Sequence, residues 1–400
     1  MMTNQEQVEQ GRHYVMNTYG RLPIALVRGL GARVWDGDGK EYLDFLSGLA
    51  VNSVGHCHPK VVKAIQEQAA KLLHVSNLYW IEPQNKLAQM LVENSFADKV
   101  FFCNSGAEAN EGAIKLARKY AKKRWGEEKY EIITMEHSFH GRTLAALTAT
   151  GQPKYQEGFA PLPAGFRYAP FGDLEALQKV MGPQTCAIMI EPVQGEGGVN
   201  VAERSYWEGL AQLVKEKDVL LIVDEVQSGM GRTGKLFAYE NYGLKPHIMT
   251  LAKALGGGTP IGALLASDEV ADAFSPGDHA STFGGNPLVT AAALAVMEVL
   301  LQDGLVKHCQ TMGAYFQEEL KKLATRHSMI VEVRGLGLML ACQLNREGAS
   351  IVSSCLQKGL IINCTAGNVL RFLPPLTIQS QDIDQAITIL DEVLTEAGKG

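Results

Sequence analysis

The sequence predicts an α/β protein in which a large domain with a mainly parallel sheet is followed by a smaller C-terminal α/β domain. Three observations support this class. Strand and helix patterns alternate from about residue 60, several strands such as 219–224 are apolar on both faces, and 400 residues exceed what one core usually serves. Doubly buried strands that alternate with helices are typical of a parallel sheet covered by helices on both sides.

The N-terminal and central elements follow from local patterns. Residues 32–45 read as two short strands around a glycine-containing turn, which predicts a hairpin. Apolar periodicity then predicts helices over 60–73, 83–94 and 105–123 and strands over 99–103, 131–135, 186–191, 219–224, 247–251 and 261–266.

The C-terminal part begins with a long apolar helix over 288–301. A helix, a strand and another helix follow, then a hairpin over 360–373 that turns near 366–368. A last amphipathic helix places Ile383, Ile387, Leu390 and Leu394 on one stripe. We therefore expect an N-terminal arm and hairpin (1–55) that packs with the small domain, a large domain (56–289) and the small domain itself (290–400).

The composition favours a globular protein that binds small molecules. Hydrophobic residues make up 46% and charged residues 20% of the chain, and 37 basic against 43 acidic residues give a net charge of -6. Basic residues are not in excess, so the charge balance does not favour a nucleic acid or a membrane surface as partner. The N-terminus lacks the apolar stretch of a signal peptide, and seven cysteines stand singly, so we expect a cytoplasmic protein with reduced thiols.

Two ionisable residues are expected at neighbouring strand ends. Asp224 ends the strand 219–224, and Lys253 follows the strand 247–251 and precedes three glycines. Ligands of open α/β sheets bind at the carboxyl ends of the strands, so both side chains are expected in one crevice. Pyridoxal 5'-phosphate (PLP) requires such a pair: an amine for covalent attachment and an acid beside its pyridine nitrogen. The ordinary alternative, a turn-capping Asp and a surface Lys, fits poorly because the setting of Lys253 is apolar.

The segment 101–110 runs from a strand directly into a helix. Ser105 and Glu108 have the spacing of a capping box, and Gly106 lets a ligand approach the backbone. Helix N-termini bind anions, so this segment, together with Asp224 and Lys253, predicts a phosphate site. Taken alone, an ordinary capped helix explains it equally well.

The loop 137–143 offers an aromatic ring and a guanidinium. Phe139 is expected to stack on a heteroaromatic ring, and Arg142 to bind a substrate carboxylate. The histidines of this loop, like His56 and His58, lack the spacing of zinc ligands, so we predict no metal site.

A rival interpretation comes from the GxGxxG pattern at 229–234, which is found in dinucleotide-binding dehydrogenases. No amphipathic helix is expected after it, and residues 249–254 lack the acid that such proteins carry about 20 residues further on. The dehydrogenase therefore stays a remote alternative, as does a protein without catalytic activity.

Taken together, these segments resemble the class III (ornithine-type) aminotransferases of PLP fold type I. The resemblance spans nearly the whole chain, through NTYGRLPIALVRGLGARVWDGDGKEYLDF, NSGAEANEGAIKLAR, HSFHGRT, EPVQGEGG, DEVQSGMGRTGK, LAKALGGGTPIGA, STFGGNP and LRFLPPL. It implies an enzyme that moves an amino group between small amino acids with PLP as its cofactor.

The resemblance also implies roles at the cofactor. Lys253 would bind PLP and then act as general acid and base, Asp224 would pair with the pyridine nitrogen, and Gln227 would approach the phenolic oxygen. Thr282 would reach the phosphate from a neighbouring subunit, so a homodimer would share its active sites. The residues expected around the cofactor are Ser105, Gly106, Ala107, Phe139, Asp224, Glu225, Val226, Gln227, Lys253 and Thr282.

Four further positions are implied at the substrate. Arg142 and Ser281 would bind the amino donor, and Glu196 would mask Arg371 until glutamate presents a second carboxylate. The implied reaction converts N-acetylornithine and 2-oxoglutarate to N-acetylglutamate 5-semialdehyde and glutamate in arginine biosynthesis. Leu49 stands where ornithine-specific members have tyrosine, which favours an acylated donor. Ornithine, succinylornithine, succinyl-diaminopimelate and 4-aminobutyrate stay open as donors.

Overall fold

The computed structural model describes residues 2–399 and confirms the α/β class and the division into a large mixed sheet and smaller sheets. The strands, in chain order, are β1 Leu26–Leu30, β2 Arg33–Asp36, β3 Glu41–Asp44, β4 Lys99–Cys103, β5 Glu131–Met135, β6 Phe166–Ala169, β7 Thr185–Ile190, β8 Leu220–Asp224, β9 Ile248–Leu251, β10 Gly262–Ala266, β11 Ile330–Leu336, β12 Met339–Leu344, β13 Leu360–Ile361, β14 Asn363–Thr365 and β15 Val369–Phe372.

Helices cover the sheets and connect their strands. They are α1 Asn4–Tyr14, α2 Ser47–Ala50, α3 Pro59–Ala69, α4 Glu82–Glu93, α5 Gly106–Trp125, α6 Leu144–Ala149, α7 Pro153–Gln156, α8 Leu174–Val180, α9 Arg204–Lys217, α10 Asp268–Ala271, α11 Pro287–Gln302, α12 Leu305–Arg326, α13 Ala349–Gln357 and α14 Ser380–Ala397. Short 3-10 helices follow at Ala238–Tyr242 and Lys253–Gly256. Within residues 2–399, no single helix is long and apolar enough to cross a membrane, and α11 with α12, bent by 66°, passes that test only as a pair.

The central sheet has the strand order β4-β10-β9-β8-β7-β5-β6. The strands from β9 to β6 pair in parallel, whereas β10 runs antiparallel to both of its neighbours. Strands β5, β7, β8 and β9 are buried along their whole length, as their apolar sequences predict. Their carboxyl ends therefore meet at one edge of the sheet, and that edge holds the candidate site.

The N-terminal hairpin is confirmed, since β2 pairs antiparallel with β3. Its sheet also takes up β13, which pairs in parallel with β3. The hairpin predicted over 360–373 was therefore wrong at its start: residues 363–372 form it as β14 and β15, but Leu360–Ile361 belong to the N-terminal sheet. This pairing links the N-terminal segment to the C-terminal part of the chain.

The domain boundaries stay predictions. The position 289/290 falls inside α11, and this helix packs against α3 and α4 of the large domain. A boundary after α11 would keep those contacts within one domain, so we propose the division there. The β11-β12-β15-β14 sheet and α14 belong to the C-terminal part, and α14 buries the predicted stripe from Ile383 to Leu394.

Candidate active site

Asp224 and Lys253 emerge from neighbouring strands into one cavity of about 430 Å³. Asp224 ends β8, and Lys253 follows β9 after one intervening residue. Most of the residues expected at the cofactor and the substrate line the same space. They are Ser105, Gly106, Ala107, Phe139, Arg142, Glu196, Asp224, Val226, Gln227 and Lys253.

The carboxylate of Asp224 is held in one orientation by its neighbours. It is 3% exposed, and its Oδ2 accepts a hydrogen bond from Nδ2 of Asn110 at 2.8 Å and lies 2.7 Å from Nδ1 of His140. Its Oδ1 accepts from the backbone N–H of Val226 at 2.9 Å. Asn110 is held in turn by the Thr250 hydroxyl, at 2.7 Å. This network presents an anchored acid to any ring nitrogen in the cavity.

Lys253 has the surroundings of a reactive amine. Its backbone adopts the left-handed region at φ 47°, which a residue with a side chain enters only when the fold imposes it. Burial lowers the pKa of its ammonium, while the charge of Glu196 acts in the opposite direction. The net effect favours the neutral, nucleophilic amine.

The first turn of α5 faces the cavity with free backbone N–H groups. Ser105 caps the helix, because its Oγ accepts the N–H of Glu108 at 3.2 Å. In a capping box the Glu108 carboxylate would accept the N–H of Ser105. Here it accepts the N–H of the preceding residue, Asn104, at 2.9 Å. A Cβ at Gly106 would lie 2.7 Å from Cγ1 of Val226, so only glycine fits. The helix start is therefore open to an anion.

Arg142 and Phe139 lie together at the cavity with a residue that the sequence did not reveal. The guanidinium of Arg142 lies 4.0 Å from the centroid of the Tyr155 ring and 5.3 Å from that of Phe139. Cation–π contacts of this length orient a guanidinium while leaving its N–H groups free.

Glu196 and Arg371 form the predicted ion pair, with Nη1 of Arg371 2.9 Å from Oε1 of Glu196. Nη1 also lies 3.3 Å from Oε1 of Gln227, and Nε donates to Oδ1 of Asn363 at 3.2 Å. Burial alone would raise the pKa of Glu196, but the charge and hydrogen bond of Arg371 hold it below its ordinary value. Arg371 is fully buried, and its Nη2 has no hydrogen-bond partner among the described residues.

Four of the predicted site residues do not line the cavity, namely Glu225, Ser281, Thr282 and Arg371. The Glu225 carboxylate accepts the backbone N–H groups of Ala238 and Tyr239, both at 2.7 Å, because the strand end turns it to the opposite side from Asp224. The Ser281 hydroxyl accepts from Nδ2 of Asn104 at 3.1 Å. Thr282 is exposed on the surface of this chain.

Glu191, which the sequence analysis did not single out, also lines the cavity. It follows β7, opposite Asp224 in register. Its buried carboxylate accepts the N–H of Phe139 at 2.9 Å and that of Gly195 at 3.3 Å. Burial raises its pKa to about 7. A polar residue directly after an apolar strand was the signal that could have identified it.

The glycines at 229–234 form a turn, and the segment that follows is the short 3-10 helix Ala238–Tyr242. Within the turn, Arg232 is buried and donates from Nη1 to the carbonyl of Leu338 at 3.0 Å and from Nη2 to Oγ of Ser53 at 2.9 Å. A dinucleotide site of the Rossmann type needs a helix N-terminus at this place. The turn instead ties distant segments together.

Comparisons with known proteins agree with this geometry. The family model for Aminotransferase class-III matches residues 14–394. The acetylornithine aminotransferase of Caldanaerobacter subterraneus subsp. tengcongensis is 56% identical over 386 residues, covering 96% of this chain and 98% of that protein. The acetylornithine aminotransferase of Methanocaldococcus jannaschii is 55% identical over 400 residues and covers both chains fully.

Among solved structures, the ornithine aminotransferase from Toxoplasma gondii, crystallised in the presence of oxidised glutathione, is 34% identical with a TM-score of 0.95. The match covers 99% of this chain and 96% of that one, and partial occupancy of PLP was found at the active site of that protein.

Proposed function

Because this chain belongs to the class-III aminotransferases, we propose that it uses PLP to convert N-acetylornithine and 2-oxoglutarate to N-acetylglutamate 5-semialdehyde and glutamate in arginine biosynthesis. The observation that carries the proposal is the meeting of Lys253 and Asp224 in one cavity, opposite the first turn of α5. A transaminase needs an amine, an acid and an anion site in this arrangement.

The residues around the cavity fit PLP. Val226 packs so closely on Gly106 that a Cβ there would collide with it, and the backbone N–H groups of Gly106 and Ala107, which line the cavity, would hold a phosphate. Phe139 would cover one face of the ring. Asp224 would hold the ring nitrogen in its protonated form, and Gln227 would lie near the phenolic oxygen. Ser105 and Val226 complete the wall, whereas Glu225 would support the site through the backbone.

PLP, when bound, withdraws electrons from the substrate carbon that carries the amino group. Lys253 would hold the cofactor and then move the proton from and to that carbon, a role that its lowered pKa supports. The anchored carboxylate of Asp224 would keep its orientation throughout, because Asn110 and His140 hold it.

Arg142 supports an acylated donor. Its oriented guanidinium would bind the α-carboxylate of N-acetylornithine and so present the ω-amine to Lys253. A free α-ammonium next to Arg142 would suffer like-charge repulsion and desolvation, which the neutral amide avoids. Leu49 lies in the segment before Val51, a residue that lines the cavity. The two similar acetylornithine aminotransferases, 56% and 55% identical to this chain, favour this donor over ornithine.

The Glu196–Arg371 pair would adapt the site to its second substrate. While N-acetylornithine reacts, Glu196 neutralises Arg371 at 2.9 Å. Glutamate and 2-oxoglutarate carry a second carboxylate, which would replace Glu196 as the partner of Arg371 and use its free Nη2. We call this pair the gate.

A homodimer would complete the site. Exposed Thr282 lies next to an apolar patch that we define as Leu72, Leu73, Leu78, Tyr79, Trp80 and Phe283. Nδ2 of Asn77 donates to the carbonyls of Ser281 and Gly284, at 3.1 and 3.0 Å, so the patch and Thr282 form one surface. Neighbouring exposed apolar side chains are typical of interfaces, and a two-fold partner would bring Thr282 to the phosphate of the other subunit.

We place the enzyme in the cytoplasm. All seven cysteines are free thiols, as expected in a reducing compartment.

The direct test of the chemistry is Lys253→Ala. The wild-type protein should be yellow when purified with PLP, and the variant should lose the absorbance band of the covalently held cofactor and most of its turnover. Transamination at a near wild-type rate by the variant would refute the assignment of Lys253.

A further inference from the structure

The backbone on both sides of the gate residue Glu196 is held by hydrogen bonds. The carbonyl oxygen of Glu196 accepts from the hydroxyl of Thr365, at the end of β14. The N–H of Gly195 donates to Oε1 of Glu191 at 3.3 Å. Both Glu191 and Thr365 are buried, so water does not compete for these bonds.

Gly195 also lacks room to move. A Cβ at this position would collide with Oε1 of Gln227, the same oxygen that lies 3.3 Å from Nη1 of Arg371. The segment before Glu196 is therefore packed against a second partner of Arg371. A displacement of this backbone would disturb both acceptors of Nη1 of Arg371, which are Glu196 and Gln227.

Glu191 joins this segment to the cofactor side of the cavity. Its Oε2 accepts the N–H of Phe139 at 2.9 Å, and its Oε1 accepts that of Gly195. The Glu191 carboxylate thus connects the loop of Phe139, whose side chain would stack on the cofactor ring, with the loop of Glu196. Neither contact is made by a side chain that would react with substrate.

We propose that Glu191 and Thr365 are positioning residues that fix the backbone of Gly195 and Glu196, so that the gate opens by rotation of the Glu196 side chain alone. This inference rests on the proposed function, which gives the gate a closed state, with Glu196 paired to Arg371, and an open state, with a substrate carboxylate paired to Arg371. A fixed backbone presents Glu196 to Arg371 at the same place after each opening. Loss of either support weakens the closed state, in which N-acetylornithine reacts, more than the open state, in which glutamate reacts.

The first test compares Thr365→Val with Thr365→Ser in the PLP-loaded dimer. Single-turnover kcat/KM is measured for N-acetylornithine and, separately, for glutamate, from the change in cofactor absorbance. The valine variant keeps the shape but lacks the hydroxyl, so the ratio of N-acetylornithine to glutamate should fall about fivefold, the value of one hydrogen bond. The serine variant keeps the donor and should retain the wild-type ratio.

The second test uses Glu191→Gln, which retains one acceptor and replaces the other by a donor. The ratio of kcat/KM for N-acetylornithine to kcat/KM for glutamate should fall, as in Thr365→Val. Glu131→Gln is the matched control, since Glu131 is a buried carboxylate at the start of β5, where it binds Nε of Arg167 at 3.0 Å. It should lower the melting temperature and leave the ratio unchanged.

An unchanged ratio in Thr365→Val and Glu191→Gln would overturn the inference, as would an equal fall in both half-reactions, which is what a merely structural role produces. A serine variant that behaves like the valine variant would also contradict it. Failure of the proposed function is distinguishable, because the wild-type protein would then show no half-reaction with N-acetylornithine at all.

Discussion

Glu225 is a buried carboxylate, and no cation within residues 2–399 forms a salt bridge with it. Burial raises its pKa from an ordinary value of 4.5 to about 8, although two backbone N–H groups oppose the shift. Between these two values the folded protein keeps a proton that the unfolded chain releases. Unfolding therefore loses a proton in this window, and the contribution of Glu225 to stability falls as the pH rises.

We expect Glu225→Gln to remove this pH dependence. The variant loses one hydrogen-bond acceptor, which lowers the free energy of unfolding by an amount that does not change with pH. It never carries the buried charge. The melting temperature of the variant minus that of the wild type should become more positive from about pH 5.5 to about pH 8, by an amount equivalent to a few kcal/mol at most, given ~1.4 kcal/mol per pKa unit. A difference that stays constant over this range would show that Glu225 does not titrate there.

Arg371 and Arg142 should affect the two half-reactions differently. Arg371→Ala removes the partner of the second carboxylate, so kcat/KM for glutamate should fall roughly a hundredfold, whereas that for N-acetylornithine should fall at most about tenfold. Arg142→Ala should reduce kcat/KM for both donors, because each donor presents a carboxylate to Arg142. Stopped-flow half-reactions measure this, and equal losses in Arg371→Ala would contradict the gate.

Among individual residues, the sequence was informative where the chemistry is local. Lys253, Asp224 and Gly106 stand at strand ends or a helix start that apolar patterns delimit. Asn110 and His140 were not identified, because their contacts with Asp224 join positions 114 and 84 residues apart. Tyr155 was missed for the same reason: only the fold brings its ring to Arg142.

At the level of elements, six of the seven strands of the central sheet were predicted with ends within one residue, because their apolar runs are short and bounded by polar or glycine-rich segments. The helix predicted over 60–73 ends at Ala69, where the following apolar residues are exposed and have no core to pack against. β6 was missed because it lies at the edge of the sheet and alternates in burial. Its short sequence carries no apolar run.

The turn at 229–234 connects segments that are far apart in the sequence. Arg232 donates to the carbonyls of Leu338 and Pro374, which belong to the C-terminal part of the chain, and to Ser53. Pro374 lies three residues after Arg371, so this buried cation also supports the strand that carries the gate arginine. Burial lowers the pKa of Arg232 to about 10, which leaves it charged at neutral pH.

We expect Arg232→Ala to destabilise the protein by about 3 kcal/mol or more, because it leaves a cavity and buried carbonyls without donors. Urea unfolding measures the change. A variant as stable as the wild type would show that water replaces the guanidinium at no cost.

For the whole molecule, the apolar patch next to Thr282 predicts the oligomeric state. Trp80 is 92% exposed in the single chain, which is unusual for a tryptophan. Trp80→Asp should convert the dimer to a monomer at micromolar concentration and weaken retention of PLP. Val331→Asp, at an exposed position in β11, is the control that should stay dimeric. Light scattering after gel filtration distinguishes them, and a dimeric Trp80→Asp would place the interface elsewhere.

A parallel assay of amino donors, with 2-oxoglutarate as the acceptor, tests the proposed reaction. The kcat/KM values of N-acetylornithine, ornithine, succinylornithine, succinyl-diaminopimelate and 4-aminobutyrate are determined with the PLP-loaded wild-type protein. We predict that N-acetylornithine is the best donor, ahead of ornithine by roughly tenfold or more, equivalent to ~1.4 kcal/mol of like-charge repulsion at Arg142. A clear preference for any other donor would contradict it.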